Sequence, residues 1–276
     1  MSDSILFNGE TGEPPLALHR GLAYGDGVFR TCLIYDSHVI DLEEQIRKLT
    51  NDAAALDLKS PSPDVLALEA RELARGRASG VLKILLMRAG GERGYRSRTR
   101  QADRLLCRSS APSFPATYWG QGVRVVRTGF RLAAQPALAG IKHLNRLEQV
   151  LASRELPADA AEGLVNDANG DPVSGTRTNL FWVEDGVVRT PPLDHCGVAG
   201  LMRQKVLEAA QALGIAVRVA RGAWQDVESA PEAFVTNSVI GLWPVASFGE
   251  RRWAAPGPVT SALSAHLAHP RLEERP

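Results

Sequence analysis

Apolar and polar positions along this chain follow two rhythms, one of alternation and one of helical spacing. In "SILFNGETGEPPLAL" a short apolar run, the pair Asn8-Gly9 and an apolar return predict a strand, a turn and a second strand. "GVFRTCLIYDSHVID" repeats that pattern around Asp36-Ser37. The spacing then lengthens. Leu42, Ile46, Leu49, Ala53 and Leu56 in "LEEQIRKLTNDAAALDL" recur at helical intervals and predict a helix. "KSPSP" at 59–63 interrupts it, and "DVLALEARELARG" starts a second helix with Asp64 at the N-cap. "GVLKILLMRAGG" reads as a buried strand with a glycine-rich exit.

The stretch "RSSAPSFPATYWGQG" (108–122) has the proline and glycine content of a linker. The predicted organisation is a smaller N-terminal α/β domain over 1–112, a linker over 113–120, and a larger C-terminal α/β domain over 121–276. Beyond the boundary "VRVVRTGF" is a strand. "GIKHLNRLEQVLASREL" carries an apolar stripe of Ile141, Leu144, Leu147 and Val150/Leu151, and predicts a helix. "GLVNDANGDPVSGTRTNLFWVEDGVVRTPPL" reads as a meander with turns at Asn169-Gly170 and Asp185-Gly186. "GVAGLMRQKVLEAAQALG" is a glycine-rich approach to a helix that stops at Gly214. "AFVTNSVIGLWPVASFG" supplies closing strands, and the polar tail "HLAHPRLEERP" reads as a surface end.

Composition narrows the class. A chain of 276 residues, 44% hydrophobic and 23% charged, can bury a sizeable core. Lys+Arg 32 against Asp+Glu 31 leaves +1, so no global field recruits nucleic acid or an acidic membrane. Cys32, Cys107 and Cys196 are widely spaced with no CxxC pair, which suits a reducing compartment. The first residues lack a basic segment with an apolar one behind it, and no apolar stretch approaches the ~20 residues of a membrane span. The expectation is a soluble, cytoplasmic α/β protein with neither a nucleic-acid nor a membrane partner.

Three segments carry candidate chemistry. On the predicted helix Lys142, Asn145, Arg146 and Gln149 share the face opposite the apolar stripe. That face is either solvated or a lysine with polar companions, as Schiff-base chemistry requires, and spacing leaves both readings open. In "GVAGLMR" glycines precede a helix whose first N–H groups, from Leu201 and Met202, suit a phosphate. "VTNS" brings Thr236 and Asn237 to a strand end, suited to the same anion. His38, His195, His266 and His269 show no ligand spacing, and no metal site is expected.

"HRGLAYGDGVFRT", "RAGGERGYR", "GIKHLNRLEQVLASRE", "TNLFWVEDGVVRTPPLDHCGVAGLMRQ" and "FVTNSVIGLWPV", in that order over about 19–248, resemble the class IV aminotransferase family. "GIKHLNRLEQVLA" and "RAGGERGY" are most similar to its aminodeoxychorismate lyase branch. The resemblance implies the fold-type IV α/β architecture: two α/β domains, an active site in the cleft between them, and a homodimer. It implies pyridoxal 5′-phosphate as cofactor, with Lys142 as its Schiff-base lysine and proton carrier. Leu201, Met202 and Thr236 would hold the phosphate, beside Asn237 at the same strand end, and Asn179 would lie on the strand beneath the ring. A dicarboxylate substrate would meet Arg30, Arg93, Tyr95, Asn145 and Arg146. The implied reaction releases pyruvate from 4-amino-4-deoxychorismate and leaves 4-aminobenzoate.

The chain departs from the family pattern at four places, one of which takes in two residues, Lys48 and Gln45. Ser174 stands where the family has a glutamate that pairs with the pyridine nitrogen, and a hydroxyl cannot hold a pyridinium. Lys48 stands in the place of a phosphate-binding arginine, giving a point charge for a bidentate fork. Gln45 replaces a histidine near it, Arg30 a glutamate, and His19 an aspartate. Three accounts follow: a cofactor-dependent lyase, a cofactor-free lyase turning chorismate into 4-hydroxybenzoate and pyruvate, or a non-catalytic binding relative. Transamination of branched-chain or D-amino acids fits Ser174 least.

Overall fold

The protein is described by a computed structural model covering residues 4–12, 14, 17–91 and 93–273. The chain divides into two compact units, Met1–Ser113 with Ile141–Arg146, and Phe114–Gly140 with Leu147–Pro276. Residues 141–146, which the sequence pattern assigns to the second domain, group with the first unit.

In the first unit β1 (Ser4–Phe7) and β2 (Glu10–Thr11) form a hairpin, followed by α1 (Arg20–Tyr24). Next come β3 (Gly27–Tyr35), β4 (His38–Val39), α2 (Leu42–Ala55), α3 (Pro63–Ala74), β5 (Ser79–Arg88) and β6 (Ala102–Ser109). The sheet is antiparallel in the order β2-β1-β6-β5-β3-β4. Both predicted hairpin turns form with positive φ at both central residues, Asn8 and Gly9 in one, Asp36 and Ser37 in the other. Leu42, Ile46, Leu49 and Ala53 of α2, with Leu66, Ala70 and Leu73 of α3, share one buried cluster with Val28, Cys32 and Ile34 of β3. The cap of α3 is Ser62, not Asp64, because Pro63 occupies the first helical position and needs no N–H partner.

The second unit holds α4 (Thr117–Gly120), β7 (Val123–Arg131), α5 (Leu147–Ser153), β8 (Glu162–Asn166), β9 (Pro172–Gly175), β10 (Asn179–Glu184) and β11 (Val187–Thr190). It continues with α6 (Leu201–Ala212), β12 (Val217–Val219), α7 (Trp224–Ser229), β13 (Glu232–Asn237), β14 (Gly241–Phe248), β15 (Arg251–Arg252), α8 (Pro258–His266) and α9 (Pro270–Glu273). The sheet runs β12-β11-β10-β13-β14-β7-β8-β9, and β9 also pairs β10, so strands from β10 round to β9 close into a ring. Closure removes the free edges of β9 and β10. Phe181 of β10 stacks on its cross-strand partner Phe234 of β13 at 4.9 Å, and Trp182 and Trp243 are fully buried in the same core. The predicted surface tail is packed instead: Leu267, His269 and Leu272 are buried, and His269 lies where any side chain at Gly241 would stand. Residues 274–276 of that tail lie outside the described residues.

The helix predicted across Lys142 does not form there. Helix α5 starts only at Leu147, and Leu147, Val150 and Leu151 are exposed. Residues 141–144 run instead beside the start of β3. His143 bridges Val28, the Phe29 N–H donates to the Lys142 carbonyl at 3.0 Å, and the Leu144 N–H donates to the Gly27 carbonyl at 2.9 Å. Groups bonded across to a strand cannot also close i→i−4 turns. Gly140, at φ +79°, turns the chain into this course.

Candidate active site

Lys142 is where the extended segment matters most. Its Nζ lies 4.5 Å from the centre of the Phe29 ring, and the exposed Lys83 reaches the same ring at 4.7 Å. The Lys142 N–H is turned away from β3 and donates to Asp52 Oδ2 at 3.0 Å. Burial lowers the Lys142 amine from the ordinary lysine value to about 7; Arg30, Arg146 and Lys83 add to this, and Asp52 opposes it. A lysine so placed carries a substantial free-amine fraction at neutral pH, which a nucleophile or base requires.

The polar companions assigned to one helical face are dispersed by the change of backbone. Asn145 is exposed and donates its amide to the Gly25 carbonyl at 3.1 Å. Gly25, in the left-handed region, closes α1 where a side chain would strike Asn145. Arg146 donates through Nη2 to His143 Nε2 at 2.5 Å, and burial, then Arg146, pushes the His143 ring down to about 4. His143 is therefore neutral and serves as an acceptor. Gln149 belongs to the second unit.

Arg93 and Tyr95 are exposed, Tyr95 at 90%. Their loop is held from beneath by the buried Arg20, which donates to the Gly94 carbonyl at 2.7 Å and the Tyr95 carbonyl at 3.0 Å. His19 caps α1 by accepting the Gly21 N–H, and its Nε2 lies 3.0 Å from Asp103. Arg30 does not reach solvent: it is buried on the α2 side of the sheet, paired with Asp52. Lys48 is half-buried, and its carbonyl accepts from Arg30 at 3.3 Å.

The other candidates lie together in the second unit. Ser174 of β9 and Asn179 of β10 are cross-strand partners, and both are buried. Asn179 donates its amide to the Val198 carbonyl at 2.9 Å. That bond sets the loop running into α6, where Gly200 is the N-cap without a side-chain cap for the first turn. A Cβ at Gly200 would collide with Asn179 Oδ1, so the backbone passes the amide at a distance only glycine allows. The buried Leu201 and Met202 side chains anchor the helix, and their N–H groups open its N-terminus, a place for an anion. Thr236 and Asn237 are engaged in their own turn. The Thr236 hydroxyl donates to the Gly241 carbonyl, while Asn237 Oδ1 accepts the Val239 and Ile240 N–H groups at 2.8 and 3.0 Å.

Two residues of consequence lack any signal in the sequence. Asp52 sits among the small residues of α2, and only the fold brings it to Lys142. Glu162 is fully buried, its carboxylate accepting from Gly163 N, Thr176 N, Thr176 Oγ1 and Thr178 Oγ1, which ties down the turn joining β9 to β10. Among the described residues no cluster of three or more His, Cys, Asp or Glu could hold a metal ion, and no helix is long and apolar enough to cross a membrane.

Comparison with known proteins places this geometry. Residues 27–248 match the family model described as amino-transferase class IV. An aminodeoxychorismate lyase from Vibrio harveyi is 36% identical over 233 residues, 82% of this chain and 84% of that protein. The crystal structure of 4-amino-4-deoxychorismate lyase from Pseudomonas aeruginosa superposes with a TM-score of 0.88 at 36% identity, covering 95% of this chain and 97% of that one. A branched-chain amino acid aminotransferase from T.th., solved with pyridoxamine 5′-phosphate, has a TM-score of 0.80 at 25% identity, covering 95% of this chain and 92% of that one. The fold is the fold-type IV α/β architecture. The match spans both units and keeps the order of the motifs, so the chain belongs to the class IV aminotransferase family.

Proposed function

We propose that the protein is a lyase that releases pyruvate from 4-amino-4-deoxychorismate and leaves 4-aminobenzoate, with pyridoxal 5′-phosphate as cofactor. The observation that carries this reading is the desolvated Lys142 amine, lowered to about 7, in a chain 36% identical to two lyases of that name. The residues fit the cofactor at two of its three handles. Lys142 offers a free amine, and the glycine-capped start of α6 offers N–H groups from Leu201 and Met202 to a phosphate. At the ring nitrogen Ser174 offers only a hydroxyl, which donates to the Gly175 carbonyl at 3.0 Å.

When bound, the cofactor supplies an aldehyde for amines and a ring that accepts electrons. Lys142 Nζ, as a free amine, takes the proton from the substrate carbon bearing the amino group. Loss of that proton and of the neighbouring enolpyruvyl group leaves an aromatic ring, which supplies much of the driving force. Arg93 and Arg146 would meet the two carboxylates. Aromatisation is also why an elimination tolerates Ser174 better than a transamination would.

Ser174 favours one second reading, a cofactor-free lyase in which Lys142 acts as a plain base on chorismate. One experiment separates the two. Purified protein is given each substrate while pyruvate and the aromatic product are followed, and its visible spectrum is recorded before and after borohydride. The first reading expects equal 4-aminobenzoate and pyruvate, an absorption band that borohydride removes, and cofactor mass left on Lys142. Colourless protein that makes 4-hydroxybenzoate supports the second. Inertness to both substrates defeats both and leaves a binding role.

A further inference from the structure

Arg30 has no ordinary reason to be where it is. The face of β3 bearing Val28, Cys32 and Ile34 is the apolar floor under α2, and Arg30 projects from it at 2% exposure. Its Nη2 donates to Asp52 Oδ2 at 2.5 Å and to the Lys48 carbonyl at 3.3 Å, while its buried Nε has no hydrogen-bond partner. A buried guanidinium with an unmet donor costs stability, and an apolar residue of similar volume would pack there at no such cost. Something other than stability accounts for it.

Its partner supplies the reason. Neighbouring antiparallel residues such as Phe29 and Lys142 can exchange two backbone bonds, and here one is made while the Lys142 N–H goes to Asp52. One carboxylate oxygen thus holds both the Arg30 guanidinium and the backbone of Lys142. The charged and titratable groups facing Lys142 are Arg30 and Cys32 from β3, Lys83 from β5, Asp52 from α2 and Arg146 from its own segment. Burial pushes the Cys32 thiol up to about 12, so it stays neutral. Three cations then face Lys142 against one carboxylate. Removing Arg30 would leave the Asp52 carboxylate, held at the Lys142 backbone N–H, unneutralised, and its charge would favour protonation of the amine.

We propose that Arg30, acting through Asp52, is a positioning residue that fixes the backbone of Lys142 and through it the placement of its amine. The inference rests on reading Lys142 as the working amine, and it holds for either lyase chemistry. It assigns Arg30 to the lysine, in place of a direct contact with substrate.

The test reads Lys142 itself, without substrate or cofactor. Full-length wild type, Arg30→Met, Arg30→Lys and Asp52→Asn are labelled with acetic anhydride from pH 5 to 10, and modification of the peptide containing Lys142 is followed by mass spectrometry. The wild-type midpoint is expected near neutrality. Arg30→Met should raise it by about one pH unit or more, a tenfold fall in free amine, and Arg30→Lys should restore most of the difference. Asp52→Asn, nearly isosteric and still able to accept the Lys142 N–H, should lower the midpoint and remains readable if Arg30→Met fails to fold. Folded Arg30→Met with a wild-type midpoint, or Asp52→Asn with an unchanged or raised one, overturns the proposal. Because labelling needs no turnover, inert protein with the expected midpoints would defeat the lyase reading alone, and active protein with unmoved midpoints would defeat this inference alone.

Discussion

Ser174 and Asn179 face each other across the single residue pair at which β9 meets β10, so Ser174 sits on the seam that closes the ring of strands. Ser174 is paired on its other side with Val165 of β8. Its position is thus fixed by two neighbouring strands, and a longer side chain there has a defined origin.

Ser174→Glu should therefore raise affinity for pyridoxal 5′-phosphate. A charge-assisted bond is worth ~1.5–3 kcal/mol, so roughly tenfold or more is expected in an absorbance titration. The same variant should melt at a lower temperature without cofactor, because the carboxylate is desolvated with no partner. Unchanged affinity would mean that position 174 does not face the ring.

Gly200→Ala tests the anion site without touching a charge. The new Cβ collides with Asn179 Oδ1 and should displace either the amide or the first turn of α6. Binding of both pyridoxal 5′-phosphate and inorganic phosphate should weaken by about tenfold or more, since aligned N–H groups are what the site offers. Equal phosphate affinity in wild type and variant, by calorimetry, would remove α6 from the site.

Glu162→Ala should be among the most destabilising single changes in the second unit. It strips an acceptor from five donors around residues 163–178, of which the Thr176 N–H keeps a second partner in the Gly163 carbonyl, and leaving the others unmet costs ~3 kcal/mol or more. Urea unfolding measures it. Glu162→Gln, which keeps one acceptor oxygen, should lose less, and equal losses would show that geometry rather than acceptor count holds the turn.

Legibility in the sequence follows how local each determinant is. The Asn8-Gly9, Asp36-Ser37 and Asp185-Gly186 turns were readable because positive φ selects those residue types, and α6 because Gly214 sits just beyond its end in the left-handed region. The course of residues 141–146 was not. Ile141, Leu144, Leu147 and Val150 make a good helical stripe, yet the first two serve an extended segment laid beside a strand more than a hundred residues earlier. Pattern records spacing and cannot record a distant partner. Arg30 was similarly opaque: alternation along β3 puts it on the buried face with Val28 and Cys32, but nothing local reveals that Asp52 awaits it there.

Lys142 is half-buried, and its amine also leaves a mark on stability. In the unfolded chain Lys142 titrates near the ordinary value of 10.5, and in the folded chain near 7. Between those values the unfolded state binds more protons, so wild-type stability should rise with pH across that window. Below pH 7 the full penalty of burying a cation is present; above 10.5 it is gone. Lys142→Met removes the titration and keeps contact with the Phe29 ring, as a sulfur–aromatic pair. Discounted for partial exposure, the variant should be more stable by ~2–4 kcal/mol at pH 6. The advantage should shrink steadily toward pH 10.5 in cofactor-free urea unfolding. A difference that stays flat across the range would place the amine in water, and with it would go the account of Lys142 as a neutral base.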